Sequence, residues 1–226
     1  LTFMERLVSA MAEMNDSFNE VTAEMLKVIS DYDSVTGFQG AYNIRQDSMC
    51  AGRKNSENIT IESKTDKPGI NIRVKPGTKG ETVYIPACVT HSNVDDLVYN
   101  DFFIGEGADV TIVAGCGVHS DGSETARHNG IHRFFLEKGA KVLYKEKHIG
   151  TGKGTGLRRI DPVTDAYLKE DSYLEMDTVQ LRGVDRTTRS TSAVLDKGAK
   201  IVVRERIMTD GDEDAVTKFR VELNGE

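Results

Sequence analysis

The feature that most constrains the fold is a repeat in which a charged–Gly–Ala turn leads into an alternating strand. Clear copies begin at Glu106, Lys138 and Lys197, and a fainter copy begins at Glu170. The starts are therefore 32, 32 and 27 residues apart. A near-constant period of turn and strand is typical of a solenoid, in which each unit buries its apolar face only against its neighbours.

Beyond residue 58 no segment has a strong helical pattern. Apolar and polar residues alternate with period two at Ile59–Ile61 and Ile70–Val74, which the turn signal Lys67-Pro68-Gly69 separates. The strand-like run Thr82–Pro86 follows the Pro76-Gly77 turn. The pattern predicts a mainly β chain whose core, residues 37–226, is a parallel β-helix. A β-sandwich with similar hairpins is the alternative.

The N-terminal part, residues 1–36, is predicted to be a helical segment. An apolar stripe recurs at three- and four-residue steps between residues 3 and 30, with the members Leu7, Met11, Met14, Phe18, Val21, Met25 and Ile29. Asn15-Asp16-Ser17 could divide the helix, with Asp16 or Ser17 capping the second piece. A stripe rich in methionine indicates a packing face, against the body of the protein or a partner.

Composition excludes several classes of protein. The chain has 226 residues, enough for one domain, and a formal charge of −7, which argues against binding nucleic acid. It has no apolar run of the roughly 20 residues that span a bilayer and no signal-peptide pattern at its start, so no membrane role is expected. Three widely spaced cysteines fit a reducing cytoplasm.

The stretch from Cys116 to His132 reads CGVHSDGSETARHNGIH and is the strongest candidate site. Thiolate and imidazole groups ligate zinc and iron, and the spacings Cys–x2–His and His–x3–His could hold one metal ion. The predicted metal ligands are Cys116, His119, His128 and His132. Gly115, Gly117, Gly122 and Gly130 favour a flexible turn. A polar loop with solvent-facing histidines is the alternative, and spacing alone does not decide between the two.

Other chemically active residues rank lower. His148 ends a repeat strand and is expected to project towards this stretch from the next coil. Cys50 and Cys88 each stand alone, as small buried cysteines do, and Cys88 ranks first because His91 follows three residues later. The charged strand residues are interpreted as a solvated outer face: Lys145, Glu146, Arg204 and Glu205. The glycine-rich run 150–156 lacks the Gly-Lys-Ser/Thr ending of a phosphate-binding loop.

Several long segments resemble, in order, the SufB/SufD family of iron–sulfur cluster assembly proteins. They include AYNIRQDSMCAGRKNSENITIESK, VYNDFFIGEGADVTIVAG, GCGVHSDGSETARHNGIHRFFLEKGAKVLYKEKHIGTGKGTG and the run from YLEMDTVQLRG to VELNGE. The resemblance covers roughly residues 40 to 226 and is closest to short bacterial and archaeal members. It implies a right-handed parallel β-helix, a SufC-type ATPase partner, and a transient iron–sulfur cluster passed to apo-proteins.

The resemblance also has limits. Family members continue beyond the position of residue 226 into further coils and a helical region, which carry the ATPase-docking surface and a cysteine used in cluster building. The chain is therefore expected to lack that part. The best-studied members do not share the Cys116–His132 stretch in this form, so a metal role for its residues depends on their chemistry.

We expect a cytoplasmic, non-enzymatic scaffold subunit that encounters ATP only through its partner and receives sulfur from a donor protein. The strand edges and the methionine stripe suggest a homodimer. A zinc enzyme using the same stretch, with Glu124 or Asp121 as base, is one alternative. A structural β-solenoid interaction module is the other.

Overall fold

The computed structural model describes residues 18–225, and over this range the chain is a parallel β-solenoid of about five turns. One helix, α1 (Glu20–Ile29), precedes the strands. The strands are β1 Ala41–Gln46, β2 Met49–Lys54, β3 Ile59–Ser63, β4 Gly69–Val74, β5 Lys79–Val89, β6 Asp95–Ile104, β7 Asp109–His119, β8 Ala126–Leu136, β9 Lys141–Thr151, β10 Arg158–Ile160, β11 Val163–Leu168, β12 Tyr173–Gln180, β13 Arg186–Leu195, β14 Lys200–Ile207 and β15 Asp214–Leu223.

Two sheets enclose the interior. The first has the order β14-β12-β9-β7-β5-β1-β2, and the second β10-β13-β11-β8-β6-β4-β3, with β15 paired to β13. Only the hairpins β1–β2 and β3–β4 are antiparallel, and from β5 onwards the pairing is parallel. Successive coils therefore stack equivalent positions, as in the row Cys116, His148 and Gln180. The predicted parallel solenoid is confirmed, and the sandwich alternative is wrong.

The repeated turn requires a left-handed residue in every coil. Gly107, Gly139 and Gly198 have φ of 64°, 65° and 69°, and Asp171 occupies the same position with φ 57°. Glycine adopts this conformation without steric cost, and aspartate is among the side chains that tolerate it best. The Gly107 N–H donates to the carbonyl of Lys138 in the next turn (3.0 Å). The fainter repeat copy thus keeps the turn although it lacks the glycine.

The interior has two apolar layers with polar side chains between them. In β8, Ala126 belongs to one layer and Phe134 and Leu136 to the other. His128 and His132 lie between them on the same inward face, since side chains two or four residues apart on a strand point the same way. The inward apolar side chains of β8 therefore lie towards the two ends of the strand, and its polar side chains lie in the middle.

Helix α1 begins at a different residue from the one expected. Asn19 is its N-cap, and the Asn19 side chain accepts a hydrogen bond from the Thr22 N–H (2.9 Å). The Asn19 N–H donates to Gln46 Oε1 (2.8 Å), so this cap also ties the helix to β1. A cap at Asp16 or Ser17 is therefore not the one used by this helix. Leu7, Met11, Met14 and Asn15–Ser17 lie outside the described residues.

The described part of the methionine stripe packs on the solenoid itself. Met25 and Ile29 are buried over β7, where the outward positions are Gly115 and Gly117. A Cβ on Gly115 would lie 2.5 Å from the Ile29 carbonyl oxygen, and one on Gly117 would lie 2.5 Å from Met25 Sδ. These two glycines belong to a strand and admit the helix, so the expectation that they form a flexible turn is wrong.

The glycines of the 150–156 run serve a similar purpose. A Cβ on Gly150 would lie 1.6 Å from the Gly183 carbonyl oxygen, and one on Gly156 would lie 1.9 Å from the Glu124 carbonyl oxygen. Close approach of neighbouring coils accounts for glycine at both positions. Between residues 18 and 225, no helix has the length and apolarity needed to cross a membrane.

Candidate metal site inside the solenoid

The structure brings together three of the four predicted ligands. Cys116 lies in β7, and His128 and His132 lie in β8; all three side chains are buried in the interior. His119 is three residues after Cys116 on the same strand, so it faces outwards. There its Nδ1 lies 2.9 Å from the Thr151 hydroxyl.

The Cys116–His132 stretch is mostly strand. β7 continues to His119 and β8 begins at Ala126, so only residues 120–125 connect them. The alternative of solvent-facing histidines is wrong for His128 and His132. Asp121 and Glu124, the bases of the zinc-enzyme alternative, are exposed in this connection and do not share the interior with Cys116.

Cys116, Glu146 and His148 form the tightest group of potential metal ligands among residues 18–225. The Cys116 sulfur, a Glu146 carboxylate oxygen and a His148 ring nitrogen all lie within 4.8 Å of one another, and all three residues are buried. Cys116 and His148 are register partners on β7 and β9, which places His148 one coil from Cys116, as predicted. Glu146 is two residues before His148 and shares its inward face.

The predicted outward position of Glu146 is wrong. Adjacent strand residues face opposite ways, so Lys145 and Glu146 cannot both be solvated. Lys145 is exposed and Glu146 is 2 % exposed. The two-residue spacing from His148 was the signal that could have placed Glu146 inside. The predicted solvated position of Glu205 is also wrong, because Glu205 and Glu146 flank the same position, Thr178, on neighbouring strands and therefore face the same way. Arg204 is exposed, as predicted.

A buried network holds the Glu146 carboxylate. Tyr144 donates its hydroxyl to Glu146 Oε1 (2.8 Å), and Arg189 Nη1 donates to Glu146 Oε2 (2.9 Å). Arg189 also pairs through Nε with Glu205 Oε1 (2.6 Å). His148 Nε2 lies 3.3 Å from Glu146 Oε1 but has no hydrogen-bond partner, which is unusual for a buried ring nitrogen.

His128 and His132 are held by partners of their own. His128 Nδ1 donates to Asp96 (3.0 Å), whose carboxylate also pairs with Arg45 (2.7 Å). The Asn100 amide donates to His132 Nε2 (3.3 Å), and His132 Nδ1 donates to the Tyr144 hydroxyl (2.9 Å). With Nε2 accepting and Nδ1 donating, His132 is a neutral ring that positions Tyr144 and, through it, Glu146.

Burial and charge set the protonation states. Burial lowers the pKa of His132, and the nearby Glu146 raises it by a smaller amount. The resulting pKa is about 4. Burial raises the pKa of Glu146, but His148 and Arg189 outweigh it and hold the pKa well below its usual value. Burial, and then the Glu146 charge, raise the pKa of the Cys116 thiol well above its ordinary value. A metal ion bound by Cys116 must therefore displace a proton.

The other two cysteines, Cys88 and Cys50, lie in different environments. Cys88 is buried in the apolar cluster beneath α1, where burial raises the pKa of its thiol to about 12, and His91 is exposed. Cys50 is exposed and lines a cavity of about 230 Å³ that also reaches Cys116. Of the two thiols, only that of Cys50 is open to solvent.

No family model matches the chain. Two archaeal proteins are similar to it in sequence. An iron–sulfur cluster assembly SufBD family protein of Methanothermobacter thermautotrophicus strain Winter is 32 % identical over 89 residues. A SufBD family protein of strain Delta H is 30 % identical over the same length. Each match covers 38 % of this chain and 21 % of the relative, so it spans about a fifth of the length of these proteins. Over these 89 residues the chain is similar to SufBD family proteins, as the sequence resemblance predicted.

Proposed function

We propose that the chain serves in iron–sulfur cluster assembly as a scaffold that holds iron or a nascent cluster at Cys116, Glu146 and His148. The observation that carries this proposal is the convergence of a thiol, a carboxylate and an imidazole within 4.8 Å inside the solenoid. The names of the two related proteins support the same process.

The donor set fits iron. Thiolate, imidazole and carboxylate groups all bind it, and three protein ligands leave coordination positions for sulfide. His148 Nε2 is buried 3.3 Å from Glu146 Oε1 without a well-formed hydrogen bond, so both atoms can turn to a shared metal ion. Two carboxylates, Glu146 and Glu205, flank the single cation Arg189, and the excess negative charge favours a bound cation.

Each residue has a distinct part in holding this cargo. Cys116 supplies the soft thiolate after losing its proton. Tyr144 and Arg189 fix the orientation of the Glu146 carboxylate, as groups around a metal ligand commonly do. Mixed ligation with one thiolate binds a cluster less tightly than four cysteines, which suits a scaffold that must release its cargo.

The partners belong to the same proposal. The SufBD resemblance supports a SufC-type ATPase, a sulfur donor and apo-protein acceptors, with ATP acting through the ATPase and no catalysis by this chain. The predicted homodimer belongs to the same proposal.

Anaerobic reconstitution with iron and sulfide tests the proposal. Iron and sulfide content and visible absorption would be compared for the unaltered chain, Cys116→Ser and His148→Gln. His119→Gln is the matched control, because His119 belongs to the same stretch but faces outwards. We expect uptake in the unaltered chain and the control, strong loss in the other two variants, and transfer of the bound cluster to an apo-ferredoxin. Equal uptake by all four proteins, or uptake without transfer, would contradict it.

A further inference from the structure

A second polar feature lies on the other side of Cys116. The cavity of about 230 Å³ is bordered by the hairpin β1–β2 and reaches Cys116, His128 and His132. Cys50 on β2 is exposed, and Cys116 is buried, so the cavity leads from the surface into the solenoid. This volume accommodates a small molecule or a few waters.

The lining is cationic. Arg45, Arg53, Lys64 and Lys67 border the cavity, and no Asp or Glu is among the described residues that line it. Such a lining is unusual in a chain with a formal charge of −7. It makes the cavity a region of positive potential, which attracts anions.

The carboxylates behind the lining do not neutralise it. Asp96 pairs with Arg45, but Asp101 is shared between Lys64 (2.6 Å) and Arg133, so one carboxylate serves two cations. Lys67 Nζ lies 3.9 Å from the Asp66 carboxylate, a long distance for an ion pair, so Asp66 compensates the Lys67 charge only weakly.

Arg53 has no carboxylate partner among residues 18–225. Its Nε donates to the neutral Asn43 side chain (2.8 Å), and the Cys50 sulfur lies 3.5 Å from the same Asn43 oxygen. The guanidinium is therefore held beside Cys50 with its terminal nitrogens uncommitted to any acid. Guanidinium groups in this state suit oxyanions, which they bind through paired hydrogen bonds.

We propose that this cavity is a binding site for a small inorganic anion, held by Arg53 with Lys64 and Lys67. The cavity reaches Cys116, but Arg53, Lys64 and Lys67 do not belong to the Cys116, Glu146 and His148 group. The proposal does not require that group to bind metal, and the tests below contain no metal.

Alkylation of Cys50 measures the potential at the cavity. The rates with negatively charged iodoacetate and neutral iodoacetamide would be followed at Cys50 by peptide mapping, at low salt, in folded and urea-unfolded protein. We expect the iodoacetate-to-iodoacetamide ratio to be about three- to tenfold higher in the folded state. Arg53→Gln should lower it towards the unfolded value, and Arg220→Gln, a change at an exposed side chain of β15, should not. A folded ratio no higher than the unfolded one would overturn the proposal.

Protection of Cys50 from alkylation by an added anion distinguishes a binding site from a diffuse positive potential. Phosphate or thiosulfate would be added before iodoacetamide, with sodium chloride at matched ionic strength as control. We expect at least one of the two anions to slow Cys50 modification severalfold, and the more effective one identifies the preferred chemistry. Protection no greater than that by chloride would overturn the proposal.

Discussion

Arg189 is the cation that pairs with the two carboxylates Glu146 and Glu205. It lies in the interior on β13 and joins Glu146 to Glu205, two carboxylates from different coils of the first sheet. A buried carboxylate is unfavourable unless a charge and hydrogen bonds compensate it. His148 and Arg189 together outweigh the effect of burial and hold the pKa of Glu146 well below its usual value.

Replacing Arg189 by Met should therefore be costly. Arg189→Met leaves the Glu146 carboxylate buried without its guanidinium partner, and we expect the free energy of unfolding to fall by about 3–5 kcal/mol. The double variant Arg189→Met/Glu146→Gln should recover a large part of that loss, since the uncompensated charge is gone. Urea unfolding followed by circular dichroism measures both. A double variant no more stable than the single one would show that Glu146 is not the source of the penalty.

His132 predicts a dependence of stability on pH. Its pKa is about 4 in the folded protein and about 6.5 in an unfolded chain, so the unfolded state takes up a proton first as pH falls. The stability due to neutral His132 is complete above about pH 6.5 and is lost progressively down to about pH 4. At pH 5 the loss should be about 2 kcal/mol. Urea unfolding between pH 8 and 5 measures it.

His132→Gln removes the titrating group while keeping a polar side chain beside Tyr144. Its unfolding free energy should fall less between pH 8 and 5 than that of the unaltered chain. An equal fall in both proteins would assign the acid sensitivity to other groups.

At the scale of one strand, the alternation of side chains between the inner and outer face explains which site residues could be predicted. His128 and His132 are four residues apart and share the interior, as do Glu146 and His148 at a spacing of two. Spacings of three, which suit metal ligands in turns and helices, separate Cys116 from His119 and Cys88 from His91. The spacing of three therefore places Cys116 and His119 on opposite faces of β7, and His91 lies beyond the end of β5. The spacing of four keeps His128 and His132 on one face of β8.

The repeated turn makes a prediction about glycine. Gly139 has φ 65° and open space where a Cβ would lie, so a substitution there tests backbone strain alone. Gly139→Ala should lower the free energy of unfolding by about 1–2 kcal/mol. Gly139→Asp, which copies Asp171 of the next coil, should cost less. Equal losses in urea unfolding would contradict this account of the fainter repeat copy.

The contact between α1 and β7 makes a second prediction at this scale. Gly115→Ala would place a Cβ 2.5 Å from the Ile29 carbonyl oxygen, so helix or strand must shift. We expect a loss of about 1–3 kcal/mol in unfolding free energy and faster amide exchange in α1. Gly52→Ala is the control, since its Cβ would meet its nearest neighbours at 3.6 Å. Unchanged exchange in α1 would contradict the close contact.

At the scale of the whole molecule, the repeat was sufficient to predict the parallel solenoid, because a constant turn-and-strand period brings the same positions into register. The polar interior was not predictable in the same way. Arg189 contacts Glu146 across 43 residues of sequence, and the step between repeat starts changes from 32 to 27 residues just before it. Only the folded register shows that these two side chains meet.

The most direct test of the interior metal site is an anaerobic titration with Co²⁺, whose thiolate charge-transfer absorption reports cysteine ligation. The proteins compared would be the unaltered chain, Cys116→Ser, Cys50→Ser and His119→Gln. We predict one Co²⁺ per chain with the charge-transfer band, lost in Cys116→Ser and kept in the other two variants. A band that survives Cys116→Ser, or one that disappears with Cys50→Ser, would contradict the assignment of Cys116, Glu146 and His148 as the metal ligands.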